Sequence, residues 1–304
     1  MEPVRFMSQG VELAGDLWRP PSTPRGALVL CQGFGLIKAI WMPEIARHVA
    51  QAGYLALTFD FRRFGLSGGH PRRRLLPREQ IDDLKAAVGF LAAEPSTPQH
   101  RIAALGLSFG GSIALAAAAE DPRIAALVAV ASPMDCARQF RLGPGFDAFM
   151  ERARRARADF DATGALAPMS TLRMMARDPA MVDRLQQAAD ACPAWTPDFS
   201  FESMVDIVAF CPEAAAHLIA PRPALWIYGR DDALVPLSEG QAAFDRAREP
   251  KAIHILDNIG HSDIHGGEAM QWVIDDALDW LDANIAGQGP PMAPEQGPTT
   301  RSAP

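Results

Sequence analysis

The amino-acid sequence predicts an α/β fold, in which a doubly wound, mostly parallel sheet carries an inserted helical cap. Short runs of Ala, Val, Leu and Ile alternate with longer helical patterns along most of the chain. Such uninterrupted apolar runs are typical of parallel strands that are buried on both faces. The alternation is interrupted once, between Met134 and Leu218, where the pattern is helical but irregular and contains no clear strand.

The predicted elements follow one another in the order of a parallel α/β sheet. Val4–Trp18 has the pattern of an opening antiparallel pair. The apolar runs that predict further strands are Gly26–Gln32, Tyr54–Phe61, Ile102–Leu107, Ile124–Ala131, Ala224–Gly229 and Ala252–Leu256. The helical patterns are Met42–Ala52, Arg78–Ala93 after Pro77, Gly110–Glu120, Ser238–Arg248 and His265–Ile285. Pro77 marks a helix start because proline is common at the first helical position.

These elements divide the chain into a core, a cap and a tail. A compact domain seldom contains a structureless segment as long as residues 134–218, so we expect this segment to form a helical cap. Residues 1–133 and 219–286 would form the core. The tail, residues 287–304, is rich in Gly and Pro and lacks an apolar period, so we expect it to be disordered.

The composition limits the classes of partner. Of the 304 residues, 48% are hydrophobic and 21% are charged, which excludes an intrinsically disordered chain. The formal net charge is −7, so we expect no nucleic-acid partner, because that would need a basic face. No apolar run of about 18 residues is free of charge, so we expect no membrane span.

The cysteines and the start of the chain favour a cytoplasmic protein. The four cysteines are widely spaced and form no Cys-x-x-Cys pair, so we expect reduced thiols rather than a zinc site or a disulfide framework. The first residues lack the basic and apolar stretches of a signal peptide.

A candidate nucleophile lies where the predicted strand Ile102–Leu107 meets the predicted helix Gly110–Glu120. Residues 106–110 read Gly-Leu-Ser-Phe-Gly, which is the G-x-S-x-G pattern of a nucleophile elbow. The serine of such an elbow has a strained backbone, and the glycines leave room for the tight turn. The alternative is a Gly-Ser turn without chemistry, which this position disfavours. We therefore predict that Ser108 is the nucleophile.

The candidate acid and base follow two later strands. A serine hydroxyl needs a neighbouring base that a third group orients. Asp231 and Asp232 follow Ala224–Gly229, and His261 follows Ala252–Leu256. The carboxyl ends of parallel strands meet at one edge of the sheet, where sites of this fold class lie. We predict that His261 is the base and that Asp232 orients it, with Asp231 as a competitor.

The other histidines fit the role of the base less well. His265 lies one predicted helical turn beyond His261. The histidines that we expect to be structural or exposed are His48, His70, His100, His217 and His254, the last of them inside a predicted strand.

An oxyanion hole requires two backbone N–H groups that point to where negative charge develops. One is expected from Phe109, directly after the candidate nucleophile. The other is expected from Phe34, in a loop that reads Cys-Gln-Gly-Phe-Gly over residues 31–35. The glycines permit a tight backbone that a side chain would block. A plain Gly-rich turn is the alternative.

With these residues assembled, the chain resembles the serine-nucleophile α/β-hydrolase superfamily up to about residue 286. Within it, the chain is similar to the capped group related to X-Pro dipeptidyl-peptidase-like and dienelactone-hydrolase-like proteins. That group includes esterases and hydrolases that act on polyketide-type acyl chains. Residues 60–67 read Asp-Phe-Arg-Arg-Phe-Gly-Leu-Ser, which matches the superfamily signature Asp-x-Arg-Gly-x-Gly-x-Ser at every defined position except Arg63.

The sequence departs from the superfamily's pattern in further ways. Gln32 stands where a His before the oxyanion loop is usual. Dienelactone hydrolases proper use a cysteine nucleophile, so Ser108 argues against their specific chemistry. The resemblance also implies that Asp135, after the strand Ile124–Ala131, occupies an alternative position for the acid.

The cap segment is rich in large apolar residues. Methionine adapts to irregular apolar ligands, so these residues are candidates for a pocket, although packing of the cap on the core is the simpler explanation for each. They are Phe146, Phe149, Met150, Met169, Leu172, Met174, Met175, Met181, Trp195, Phe199, Phe201, Met204 and Phe210.

Together these observations predict a serine hydrolase that cleaves a carboxylic ester or thioester of a small to medium, largely apolar acyl group, without a metal or organic cofactor. The expected partner is a small-molecule acyl substrate, and exposed apolar surface on the cap would allow a homodimer. The alternatives are an acyltransferase or cyclase, a hydrolase of C–C or peptide bonds with the same residues, and a non-catalytic binding protein of this fold.

Overall fold

The computed structural model describes residues 1–98, 100–286 and 299–302. The strands are β1 (Glu2–Ser8), β2 (Val11–Trp18), β3 (Ala27–Cys31), β4 (Leu55–Phe59), β5 (Ile102–Leu107), β6 (Ile124–Val130), β7 (Pro168–Ser170), β8 (Asp198–Ser200), β9 (Ala224–Gly229), β10 (Lys251–Asp257) and β11 (Thr299–Ser302). The α-helices are α1 (Met42–Gln51), α2 (Pro77–Ala93), α3 (Phe109–Glu120), α4 (Cys136–Arg141), α5 (Phe146–Thr163), α6 (Thr171–Met174), α7 (Pro179–Ala191), α8 (Met204–Val208), α9 (Leu237–Arg246) and α10 (Gly267–Leu281).

The predicted fold class is confirmed by one large sheet with helices on both faces. Its strand order is β1-β2-β4-β3-β5-β6-β9-β10-β11. β2 pairs antiparallel with β1 and with β4, and the strands from β4 onwards pair in parallel. The N-terminal pair that the sequence predicts is thus an antiparallel extension of a parallel sheet.

The sheet is buried on both faces because successive side chains of a strand point in opposite directions. Leu28 and Leu30 of β3 belong to the apolar cluster that contains α1 and α10. Val29 and Cys31 belong to the cluster that contains α2, α3 and most of the apolar residues between β6 and β9. This double burial explains why the strands appear in the sequence as apolar runs without alternation.

The segment between β6 and β9 contains the helices α4–α8 and a second, two-stranded sheet. In that sheet β7 and β8 pair antiparallel, with Met169 opposite Phe199. The expectation of a segment without strands is therefore wrong, because three-residue strands that pair across two intervening helices leave no periodic signal in the sequence. The boundaries of the cap, residues 134–218, stay a prediction.

Two expectations for the C-terminal part need correction. The predicted helix His265–Ile285 begins two residues later than expected, because His265 belongs to a 3-10 turn, Asp263–His265, and Gly266 separates that turn from α10. The expected disorder of the tail is wrong for Thr299–Ser302, which pairs with β10 as an edge strand; adjacent β-branched threonines favour such a conformation. The rest of the tail lies outside the described residues.

No described helix has both the length and the apolar composition needed to cross a bilayer.

Candidate active site

The carboxyl ends of four parallel strands bring the predicted site residues to one edge of the sheet. Ser108 follows β5, Asp232 follows β9 and His261 follows β10, while the loop that contains Phe34 follows β3. All four residues are buried. The site therefore combines residues that are distant in sequence, as expected for an open α/β sheet.

The turn between β5 and α3 has the geometry of a nucleophile elbow. Ser108 has φ 52° and ψ −129°, a conformation that costs free energy for any residue other than glycine. A Cβ atom on Gly106 would lie 2.3 Å from the Gly110 carbonyl carbon, and one on Gly110 would lie 2.4 Å from the Cys31 carbonyl oxygen. The two glycines are thus required because backbone atoms approach each other too closely for a side chain.

A chain of hydrogen bonds links the three predicted triad residues. Ser108 Oγ lies 3.1 Å from His261 Nε2, and His261 Nδ1 lies 2.7 Å from Asp232 Oδ2. The second carboxylate oxygen of Asp232 accepts hydrogen bonds from the backbone N–H groups of Leu234 and Val235, at 2.8 and 2.7 Å. The imidazole is therefore held between a serine hydroxyl and a carboxylate whose own orientation is fixed by the backbone.

The two competing acids do not contact the imidazole. Asp231 is exposed, and its carboxylate makes no hydrogen bond to His261 among the described residues. Asp135 caps α4, where its carboxylate accepts a hydrogen bond from the Arg138 N–H at 3.1 Å. Of the three candidate acids, the structure brings only Asp232 to His261.

The loop after β3 lies directly against the serine. A Cβ atom built on Gly33 would be 3.5 Å from Ser108 Cβ, an ordinary contact distance. The rings of Phe34 and Phe109 pack edge to face with their centroids 5.4 Å apart. Within the part of the chain that the structure describes, neither of these residues' backbone N–H groups donates a hydrogen bond. Both N–H groups are therefore free of a protein acceptor within the described residues, next to the serine.

The side chains of Gln32, Trp195 and Asp60 hold this loop in place. Gln32 departs from the superfamily's pattern, and Trp195 lies in the irregular cap segment. Gln32, which replaces the usual His, donates from its side-chain amide to the Phe59 carbonyl oxygen at 3.0 Å. Trp195 of the cap segment donates from its indole to the Gly35 carbonyl oxygen at 2.9 Å. No local sequence signal could have identified Trp195, since the contact joins segments 160 positions apart.

Asp60 of the second signature holds the far end of the same loop. Its carboxylate accepts hydrogen bonds from the Lys38 N–H at 2.7 Å and the Leu66 N–H at 2.8 Å. Burial raises the pKa of the Asp60 carboxyl despite these bonds. Arg63 has φ 72°, so this position keeps the left-handed backbone conformation that the usual glycine would adopt. The Arg63 guanidinium donates a hydrogen bond to the Glu79 carboxylate at 2.8 Å.

A cavity of about 370 Å³, which we call the main cavity, opens beside Ser108 and His261. Four of the apolar cap residues line it, namely Phe149, Met169, Met174 and Met175. Arg173 and Arg177 also line it and are exposed. Its volume falls within the range of small-molecule pockets, about 300–1,000 Å³.

One group of side chains among the described residues could approach a metal ion: Asp135, Cys211 and Glu213. Arg138 already binds Glu213 at 2.6 Å and lies 4.0 Å from Asp135. The negative charge of the group is thus balanced by a guanidinium, which disfavours a cation.

The mostly parallel sheet, the nucleophile elbow after β5 and the imidazole beside it define a protein of the α/β-hydrolase class. The chain matches the family described as "Serine aminopeptidase, S33" over residues 22–266 and belongs to that family. It is therefore an enzyme of the α/β-hydrolase superfamily, as the sequence motifs predict.

Named relatives cover almost the whole chain. "Polyketide transferase grgF" of Penicillium sp is 30% identical over 286 residues, which span 91% of this chain and 94% of the relative. A "Thiohydrolase" of Eupenicillium brefeldianum is 28% identical, over 87% of this chain and 88% of the relative. The crystal structure of the α/β hydrolase GrgF from Penicillium sp. sh18 is 26% identical, with a TM-score of 0.79, and the match covers 94% and 99% of the two chains.

Proposed function

We propose that this protein cleaves a carboxylic ester or thioester of a small to medium, largely apolar acyl group through an acyl-enzyme on Ser108. The observation that carries this proposal is the hydrogen-bonded chain from Ser108 through His261 to Asp232 beside a largely apolar cavity. The relative named a thiohydrolase supports the thioester as one form of the substrate.

In the acylation step Ser108 Oγ attacks the carbonyl carbon while His261 Nε2 takes its proton. Asp232 keeps the imidazole in the required tautomer and stabilises the imidazolium that forms. The N–H groups of Phe34 and Phe109 would bind the oxyanion, which is usually the largest electrostatic contribution to such catalysis. The alcohol or thiol leaves with the proton that His261 carries.

In the deacylation step a water molecule attacks the acyl carbon and His261 accepts its proton. The bond from the acyl carbon to Ser108 Oγ then breaks, and the carboxylic acid is released. The methionines of the main cavity would adapt to the acyl chain, because the thioether side chain is flexible and polarisable.

Turnover of p-nitrophenyl esters of increasing acyl length tests this proposal. We expect Ser108→Ala to lower kcat/KM by at least about 10³-fold, because removal of a triad serine leaves only binding and the oxyanion hole. A fluorophosphonate should label the wild type and not the variant. Equal turnover of both proteins without any label would contradict the proposal and favour a non-catalytic binding protein.

A second candidate is acyl transfer, because the relative at 30% identity is named a polyketide transferase. The same acyl-enzyme would then pass its acyl group to an alcohol or amine. Product analysis with a competing alcohol separates the two functions, since a transferase forms the new ester in excess over the free acid. Aminoacyl p-nitroanilides test peptide-bond cleavage, which the family description includes.

A further inference from the structure

A second, smaller cavity adjoins the candidate active site. Ser108, His261, Phe34 and Met175 line both this small cavity and the main cavity. The small cavity has a volume of about 10 Å³, taken as the space open to the centre of a water molecule. Because this volume counts only positions of the centre, one water molecule fits with some freedom to move, whereas the main cavity offers about 370 Å³ on the same scale. The space next to the nucleophile and the base is thus large enough for one water molecule and too small for an acyl chain.

The small cavity is lined by two polar side chains without partners. Thr171 and His265 are each 1% exposed. The Thr171 hydroxyl and both His265 ring nitrogens lack a hydrogen-bond partner among the described residues. A buried polar group in this state is costly, and native proteins commonly satisfy such groups with ordered water. Two such side chains on one cavity therefore indicate a bound polar molecule.

The surroundings of His265 keep its ring fixed and uncharged. The ring packs between Trp41, at a centroid distance of 4.8 Å, and His261, at 5.4 Å. Burial, followed by the neighbouring His261 and Arg184, holds the pKa of His265 well below its usual range. A neutral imidazole has one nitrogen that accepts a hydrogen bond and one that donates. His265 can therefore accept a hydrogen bond from water.

The position of Thr171 is fixed by the cap segment. It is the first residue of α6, and its backbone N–H donates to the Pro197 carbonyl oxygen at 2.8 Å. A Cβ atom on Gly35 would lie 3.6 Å from Thr171 Oγ1. The hydroxyl thus lies beside the loop after β3, and Thr171 lines the same small cavity as Ser108.

We propose that Thr171 and His265 bind the water molecule that hydrolyses the acyl-enzyme. The Thr171 hydroxyl donates a hydrogen bond to the water oxygen, and the water donates a hydrogen bond to the unprotonated ring nitrogen of His265. Its second hydrogen is then directed to His261 Nε2, which is free once Ser108 Oγ is acylated. Both residues are positioning residues, because they act through the water. This proposal rests on the proposed function.

The step balances without a further reactant. The water oxygen forms a bond to the acyl carbon as its proton passes to His261 Nε2. The tetrahedral intermediate then collapses, the bond from carbon to Ser108 Oγ breaks, and Ser108 Oγ takes the proton from His261. The products are the free carboxylic acid and the original enzyme.

Thr171→Val removes the hydroxyl with little change in shape and is the main test. We expect kcat for p-nitrophenyl esters to fall by about 10-fold to 100-fold, the loss associated with a misplaced reactant. The rate of fluorophosphonate labelling of Ser108 should stay within about twofold of the wild type, since labelling requires the nucleophile but no water. Intact-mass spectrometry should show the acyl-enzyme accumulating during turnover.

Three further variants complete the test, and the first two of them are controls. Thr171→Ser keeps the hydroxyl and should restore kcat. Thr97→Val removes another buried hydroxyl that lacks a partner among the described residues. Thr97 precedes β5, at the end of that strand opposite to Ser108, so this variant should leave turnover unchanged. His265→Phe keeps an aromatic ring between Trp41 and His261 and should behave like Thr171→Val.

Partition between water and an added alcohol gives an independent measure. In Thr171→Val we expect the ratio of transferred to hydrolysed product to rise, because only water depends on the small cavity. A parallel fall in turnover and in labelling would overturn the proposal and assign Thr171 a structural role, and unchanged turnover would overturn it as well. A wild type that neither labels nor turns over would overturn the proposed function itself.

Discussion

Asp231 and Asp232 are adjacent in the sequence, but one is exposed to solvent and the other is buried. Asp231 is exposed, whereas the Asp232 carboxylate is buried between His261 Nδ1 and two backbone N–H groups. The difference arises because the turn after β9 directs successive side chains in different directions. The sequence placed both carboxylates at the edge of the sheet and favoured Asp232, but only the structure shows how their environments differ.

The pair provides a matched test at the residue scale. Asp232→Asn keeps the shape of the side chain but favours the wrong tautomer of His261, so we expect kcat to fall by about 10⁴-fold. Asp231→Asn makes the same chemical change at an exposed position and should leave kcat unchanged. Ester turnover of the two purified variants measures both effects. Equal losses would show that the neighbouring carboxylates share the role.

At the scale of elements, the site depends on the loop after β3 being held from two sides. Gln32 and Asp60 tie it to the core, and Trp195 ties it to the cap segment. The nucleophile elbow could be predicted because its glycines, strand and helix are contiguous in the sequence. Trp195 could not, because an indole in an irregular segment has no local pattern that names its partner.

Trp195→Phe tests this contact between the cap segment and the loop. The variant keeps an aromatic side chain but leaves the Gly35 carbonyl oxygen without its donor, so the loop amides should be less well positioned. We expect kcat to fall by about 10-fold, with the KM of a short-chain ester within about twofold. Trp280→Phe, on α10, is the control and should retain wild-type kcat. A change in KM alone would indicate substrate binding in place of loop positioning.

At the scale of the whole molecule, two consecutive arginines of the core, Arg73 and Arg74, contact the cap segment around β8. The Ser200 N–H donates to the Arg73 carbonyl oxygen at 2.8 Å. Arg74 lies 3.5 Å from the fully buried Glu202, and Arg73 binds Asp198 at 2.7 Å on the surface. The consecutive arginines, which in sequence have the pattern of a solvated basic run, thus face the cap segment in two different environments.

The two arginines should contribute differently to stability. Arg74→Ala leaves the buried Glu202 carboxylate without its cation, so we expect a loss of about 3 kcal/mol in the free energy of unfolding. Arg73→Ala removes an exposed ion pair and should cost less than about 1 kcal/mol. Urea unfolding followed by fluorescence measures both values. Similar losses for the two variants would mean that burial does not distinguish the Arg74–Glu202 pair from the Arg73–Asp198 pair.

The homodimer that the sequence analysis allows stays a prediction.

The sequence by itself determined the strands of the large sheet from β1 to β6, β9 and β10, the helices of the core, the candidate nucleophile and the edge of the sheet at which the base and acid lie. These features depend on short-range patterns, namely apolar runs, glycine spacing and the positions directly after strands. Only the tertiary structure decided which acid meets His261, which cap residues line the main cavity, and that Thr171 and His265 share a small cavity. Those contacts join residues far apart in the chain, and their partners are set by packing in three dimensions, for which no local pattern of the sequence provides a signal.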